Sequence, residues 1–375
     1  MKFKNNCPFC LLGCEFSLKK ESKQNNCADL NYHLQHHENI NSPTIKGDKV
    51  SLEEAVEKVK DLLSKCNGIH VDGLGCDYEG IRSIFDFAEN FRTSLDHMEG
   101  ENISNMNLVS QRIGGNFCSI GEVYKRSDLV FFSIEDFEII KTFIDFLNKK
   151  KQKRKYFIIS ENKKNLNIKD TVFITKYEFL KFQNSFTHNR KFKPSNKRIS
   201  DNIYSSQFVT FLCNFSENQD FSRKIFGFVE YLNQIDKRSS ILPINGKNNI
   251  SGAVQYCLWK TGFPLRVQFT DIGVDYNPIE YKSNLIAKRK ELQIYINCFQ
   301  YKKNINMFKK NIFIGNPLFT NKKDFDVFIP VMIPGIHKKG LVLRGDGVTT
   351  IKLDKITESE YESVSQIFKR IYCNP

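Results

Sequence analysis

Short apolar strands alternate with amphipathic helices along this chain, and that alternation limits the fold more than any other feature. Ser51–Lys65 reads as a helix: Ser51 and Glu54 form a capping box, and Leu52, Ala55, Val56, Val59, Leu62 and Leu63 make one apolar stripe. Gly68–Leu74 then reads as a buried strand ending in a tight Gly73-Leu74-Gly75 turn. Tyr78–Phe91 is a second helix and Thr93–Leu95 a second strand. A polar stretch follows, until Ser119 and Glu122 open a short helix before the apolar strand Asp128–Ser133. Ile139–Leu147 is helical and Tyr156–Ser160 a strand. Arg223–Asp236, Ile241–Ile244, Leu292–Asn297, Asn311–Gly315 and Phe325–Val331 continue the pattern, and Lys355–Tyr372 holds a final helix. Strands and helices at this spacing predict an α/β fold with parallel, doubly wound sheets. We expect a Cys-containing segment over 1–50. A first α/β domain covers 51–200, completed by 316–375, and a second covers 201–315.

Several function classes are excluded. No apolar run approaches the ~20 residues that cross a bilayer, and the first residues lack the apolar core of a signal peptide. The eleven Cys residues are therefore expected as reduced thiols in a cytoplasm. Gly73-Leu74-Gly75 is no dinucleotide fingerprint, because Tyr78 stands where a third glycine belongs. No phosphate-binding Walker loop, nucleophile elbow or His-Glu-x-x-His helix occurs. The net charge of +14 favours polyanionic partners. Basic residues gather at Lys149–Lys151 and Lys153–Lys155, and again at Arg190, Lys191, Lys193, Lys197 and Arg198 with Phe182, Phe186 and Phe192 interleaved. Nucleic-acid binding is one reading of that pattern, and a solvated linker around Pro194 is the other. Asn248–Val254 is a Gly- and Asn-containing stretch that can approach a ligand closely, and the single Trp259 reads as a core anchor or the wall of a pocket.

Two groups of residues carry chemistry. Cys7, Cys10, Cys14 and Cys27 are spaced so that their thiolates can converge on a zinc ion or an iron–sulfur cluster. A worn-down site whose thiols only pack is the alternative. His33, His36 and His37 follow, and read as surface histidines of a short helix. Asp96 and His97 stand at the carboxyl end of a predicted strand, where α/β folds place reacting groups. As neighbours on an extended backbone they point to opposite faces, which disfavours a hydrolytic dyad.

The ordered stretches CPFCLLGCEF, Ser119–Phe132, WKTGFPLRVQF, YNPIEY and PGIHKKGLVLRGDGV together resemble the B subunits of formylmethanofuran dehydrogenases, a family of the molybdopterin oxidoreductase superfamily. The resemblance covers nearly the whole chain. It implies a molybdopterin-oxidoreductase-like fold and a four-iron four-sulfur cluster held by Cys7, Cys10, Cys14 and Cys27. It also implies a tungsten or molybdenum pterin whose metal takes a Cys or selenocysteine ligand. By the same resemblance Asp96 stands at that ligand position and His97 at the following His. A carboxylate is a hard ligand where a thiolate is soft, so this departure from the resemblance leads us to expect no pterin, the alternative being a redox-active subunit whose metal takes Asp96. Gly262, Arg344 and Asp346 are the candidate cofactor contacts within the matched motifs.

This departure is similar to the B subunit of bacterial formyltransferase/hydrolase complexes of tetrahydromethanopterin-linked formaldehyde oxidation. That resemblance implies a non-redox structural or carrier-binding role, with no catalysis of its own. The implied partners are amidohydrolase-like A, C and formyltransferase D subunits, and a methanofuran-type carrier whose polyglutamate tail a basic chain would attract. Nucleic acid and membrane are not expected partners.

Overall fold

The computed structural model describes residues 5–16, 27–36, 41–161, 170–188, 194–215, 219–301, 308–320 and 322–372. His37, Arg190, Lys191, Phe192 and Lys193 lie outside the described residues. The chain forms two compact units, Met1–Gly100 with Gly246–Pro375, and Glu101–Asn245.

The first unit begins with strands β1 (Asn5–Asn6) and β2 (Glu15–Phe16), helix α1 (Ala28–His36) and strands β3 (Thr44–Ile45) and β4 (Asp48–Lys49). Helix α2 (Leu52–Lys65) starts at Ser51, whose side chain accepts from the Glu54 N–H while Glu54 returns to the Ser51 N–H. Its Ala55, Val56, Val59 and Leu62 are buried, as the apolar stripe requires. Strand β5 (Ile69–Gly75), helix α3 (Tyr78–Asn90) and strand β6 (Ser94–Leu95) follow.

The second unit carries α4 (Gly100–Ile113), α5 (Ile120–Arg126), β7 (Leu129–Ser133), α6 (Phe137–Asn148), β8 (Lys155–Ile159) and β9 (Thr171–Ile174). It continues through α7 (Lys176–Thr187), α8 (Pro194–Ser205), β10 (Val209–Cys213), α9 (Gln219–Gln234) and β11 (Ser239–Pro243). All its strands are parallel, in the order β11-β10-β7-β8-β9. Stacked rings of Phe131, Phe157 and Phe211 fill its core.

The chain returns to the first unit with α10 (Ile250–Thr261), β12 (Val267–Thr270), β13 (Gly273–Tyr276), α11 (Ser283–Ile286), β14 (Leu292–Asn297), β15 (Lys310–Gly315) and β16 (Val327–Pro330). Strands β17 (Gly340–Leu343) and β18 (Thr350–Leu353) and helix α12 (Val364–Tyr372) complete it. The main sheet runs β13-β12-β6-β5-β14-β15-β16-β3-β4. Its centre is parallel, and an antiparallel pair closes each edge. The α/β reading holds, with one sheet mixed rather than parallel throughout.

Several expectations need correction. The units divide the chain elsewhere than at 200 and 315, because β14 and β15 insert beside β5 in the first sheet instead of extending the second. Gly73 and Leu74 form no turn. They lie inside β5, with φ of 91° and 51°, where the register to β14 shifts. A Cβ at Gly73 would strike the Ile296 backbone. The polar stretch after β6 is largely helix α4, whose Ile103 and Val109 are buried. Asn248–Val254 leads into helix α10, with Asn248 and Asn249 in the left-handed region before it, and the expected final helix occupies Val364–Tyr372. Trp259 is 86% exposed and anchors no core. His33 is fully buried: its Nδ1 faces the Asp29 carbonyl, its Nε2 accepts from Asn316, and its ring stacks on Phe9. Phe182 and Phe186 are buried in the second unit, so they offer no faces for bases to stack on. Among the described residues no helix is long and apolar enough to cross a membrane.

Candidate functional site

The order of the main sheet reverses between β5 and β14, and the carboxyl ends flanking such a switch point are where open α/β sheets bind ligands. Asp96 leaves the end of β6, next to β5. Its carboxylate is 3% exposed. Oδ1 accepts from the His97 N–H at 2.7 Å and from Arg266 Nε at 3.2 Å. Oδ2 accepts from the Ser283 N–H and hydroxyl, both at 3.1 Å. Arg266 is equally buried, and its second arm donates to the Pro278 carbonyl. This is a paired and hydrogen-bonded buried charge, the form in which a carboxylate is stable away from water. Gly100 packs against Oδ1 with no room for a side chain.

His97 turns away from Asp96. Its Nδ1 accepts from the Glu99 N–H at 3.0 Å, which leaves Nε2 as donor to the Asn248 carbonyl at 3.1 Å. The two side chains make no dyad. A second histidine, His70, supports the hub from beneath. Ser283 gives its proton to Asp96, so His70 Nε2 donates to Ser283 Oγ at 3.0 Å, and Nδ1 accepts from Ser94 Oγ at 2.8 Å. Burial, with the Lys290 charge nearby, lowers the His70 pKa to about 3. The ring stays neutral in the fold, whereas the unfolded chain takes up a proton below about pH 6.5. Stability is therefore undiminished above that value and falls as pH drops towards 3. Between pH 6.5 and 5.0 the wild type is expected to lose about 2 kcal/mol more than His70→Gln. Urea unfolding of both chains at the two pH values measures it, and parallel losses would refute the assignment.

The cysteine segment folds as a knuckle between β1 and β2. The Cys7 N–H donates to the Cys14 carbonyl at 2.9 Å, and Gly13 turns the chain at φ 55°. All four sulfurs come together: Cys7 reaches Cys10 and Cys27, and Cys10 reaches Cys14. As donor to Cys10 and Cys27, Cys7 is held well above the usual thiol value. Hydrogen bonds from Cys14 and Cys7 hold Cys10 well below it, and Cys7 brings Cys27 down to about 7. Cys27 also feels Cys10, so Cys7, Cys10 and Cys27 all lie within electrostatic reach of one another. Among the described residues no preformed single-ion site of three His, Cys, Asp or Glu groups exists. The set still presents four soft donors, two of them thiolate-prone, and this chemistry fits an iron–sulfur cluster.

The tungsten or molybdenum ligand position does not fit in the same way. Both oxygens of Asp96 are already spent on Arg266, Ser283 and the backbone. A cavity of about 10 Å³, room for one water, separates Cys10 and Leu11 of the knuckle from Asn248, Ser251, Leu343 and Gly345. Asn248 Nδ2 is buried there without a protein partner, so a small acceptor suits the hollow and a pterin does not. Asn249 closes it, donating to the Cys76 carbonyl at 2.8 Å and accepting from the Leu343 N–H at 2.9 Å. Ser251 donates to the Gly345 carbonyl, and the Gly345 N–H to that of Leu11.

The remaining sequence candidates are placed differently. Gly262 is the left-handed C-cap of α10, exposed, with open space around it. Arg344 and Asp346 form a two-pronged ion pair at 2.9 and 2.7 Å within the β17–β18 turn. Gly345 between them, not either charge, lines the cavity. Arg266 and Ser283 were missed as site residues. Arg266 lies inside the WKTGFPLRVQF stretch, and a lone arginine before a strand was its only signal.

No protein-family model matches the sequence. The B subunit of tungsten-containing formylmethanofuran dehydrogenase 2 from Methanocaldococcus jannaschii is 29% identical over 126 residues, 32% of this chain and 29% of that protein. Its counterpart in Methanococcus maripaludis is 28% identical over 145 residues, 35% of this chain and 33% of that protein. Over about a third of its length the chain is similar to these formylmethanofuran dehydrogenase B subunits. The match spans about a third of the length of these relatives. A chain in the crystal structure of the formyltransferase/hydrolase complex (FhcABCD) from Methylorubrum extorquens, in complex with methylofuran, superposes with a TM-score of 0.77 at 16% identity. That alignment covers 88% of this chain and 97% of that one. Acetylene hydratase from Pelobacter acetylenicus superposes with a TM-score of 0.61 at 9% identity, over 100% of this chain and 69% of that one. The chain thus has a molybdopterin-oxidoreductase-like fold.

Proposed function

We propose that this chain is the non-redox B subunit of a formyltransferase/hydrolase complex acting on a formyl-methanofuran-type carrier. The observation that carries the reading is the Asp96 carboxylate, buried and spent on Arg266 and Ser283 where redox relatives would present a metal-binding thiolate. The likeness over 97% of a chain from such a complex supports it. In this role the chain contributes surface to its partners, of amidohydrolase-like A, C and formyltransferase D types, and the formyl chemistry belongs to them. Cys7, Cys10, Cys14 and Cys27 would hold an iron–sulfur cluster, a one-electron centre when bound. Without a metal site at Asp96 the cluster would be structural.

Elemental analysis of the purified complex tests the proposal. Tungsten and molybdenum are expected far below one atom per copy of this chain, and formate release is expected without an electron acceptor. Stoichiometric tungsten or molybdenum would overturn it.

The four converging sulfurs favour one competing reading, a redox-active chain with Asp96 as metal ligand. That reading requires formate release to depend on an acceptor dye. The nucleic-acid reading lacks support: Phe182 and Phe186 are buried, and Arg154 is consumed by backbone carbonyls.

A further inference from the structure

In the second unit, a hollow of about 470 Å³ opens at the amino-terminal edge of the parallel sheet, away from the carboxyl ends where such sheets usually bind ligands. Lys125 and Arg126 reach it from the end of α5, Lys150 and Lys151 from the turn after α6, and Arg238 from the turn before β11. Cations at helix C-termini commonly serve the helix dipole and need no ligand. Here that service is already performed. The guanidinium of Arg154, 3% exposed, donates to the carbonyls of Ser127, Leu147 and Tyr124 at 2.9, 2.7 and 2.5 Å. Lys150 covers the Lys125 carbonyl at 2.6 Å. The outer cations are left over.

Nearby acids do not neutralise them. Asp128 is committed to the N–H groups of Gln207 and Phe208, at 2.8 and 2.9 Å. Glu122 lies 3.5 Å from Arg238 alone. Among the described residues Lys125, Arg126 and Lys151 have no acidic partner. Arg238 also lies over the Phe208 ring at 4.7 Å, which occupies the aromatic face a nucleobase would need.

We propose that this hollow binds a small molecule bearing a diphosphate group. Guanidinium forks and ammonium point charges together suit phosphoryl oxygens. A diphosphate concentrates several charges in a volume that a chain of single carboxylates would have to spread over, and three cations without an acidic partner, with Lys150 and Arg238 beside them, match that density. The inference is independent of the chemistry at Asp96, and it makes the second unit a ligand-bearing part of the chain.

Calorimetric titration of the full chain with pyrophosphate at low salt tests it. One saturable site is expected, and Arg126→Gln with Lys151→Gln should weaken it at least about tenfold. Lys149→Gln with Lys153→Gln removes the same charge outside the hollow and should change affinity less than about twofold. Equal losses in the two double variants would mean diffuse attraction and overturn the proposal. So would absent saturation, or displacement of pyrophosphate by triglutamate or a single-stranded oligonucleotide at lower concentration. All four side chains are outside the core, so circular dichroism of the variants should match the wild type.

Discussion

Arg266→Met is expected to lower the stability of this chain by about 3–5 kcal/mol, because it strands the Asp96 carboxylate in a site 3% exposed. Urea unfolding followed by fluorescence or circular dichroism gives the number, and a loss under about 1 kcal/mol would mean that water reaches the carboxylate. The sharper companion is Asp96→Cys, which installs the thiol that the family resemblance implies at that position. A thiol accepts weakly and cannot replace a carboxylate that takes four hydrogen bonds. The substitution should destabilise by a comparable amount and should not bring tungsten or molybdenum into the complex. Arg266 and Ser283 have been built into a support for Asp96, so reversing one residue does not reverse the site. A folded Asp96→Cys chain with bound tungsten would contradict this account.

Cys10→Ser should have the second largest effect. After anaerobic reconstitution of the full chain with ferrous iron and sulfide, the wild type is expected to take up about four irons with broad visible absorbance. Cys10 neighbours both Cys14 and Cys7, and hydrogen bonds from those two favour its thiolate. Serine in its place offers a hard, protonated oxygen, so iron uptake and colour should fall by well over half. No uptake by the wild type, or equal uptake by the variant, would leave the four cysteines as packing residues. The contrast with Cys76 and Cys298 is instructive. They end β5 and β14 at the switch point, but burial pushes both thiols up, so they behave as small apolar side chains.

Much of the fold was legible because it rests on local rules. The capping boxes at Ser51–Glu54 and Ser119–Glu122 marked helix starts to the residue, and the apolar runs at Leu129–Ser133 and Leu292–Asn297 gave strands. Strand partnership was not legible. Nothing in Leu292–Asn297 says that it pairs with β5 rather than β10, since an apolar run can lie beside either strand. Helix α4 was hidden by its Asn and Ser content, which favours turns until a tertiary face buries Ile103 and Val109. The site divided along the same line. The cysteine spacing announced its own convergence, whereas Asp96 acquires its meaning from Arg266 and Ser283, 170 and 187 positions away.

The second unit interrupts the first between Gly100 and Gly246. In the first sheet, Gln293 reaches Asp72 across 221 positions of chain. The central pairing of β5 with β14 must therefore close a very long loop before it gains anything, whereas β7, β8 and β9 pair with near neighbours in sequence. Assembly is thus ordered in time. The inserted unit is complete at Asn245, before β14 exists, so β5 can gain that partner only after synthesis has passed Asn297. Until then, a half-made β5 carries an open edge that needs shielding from other chains.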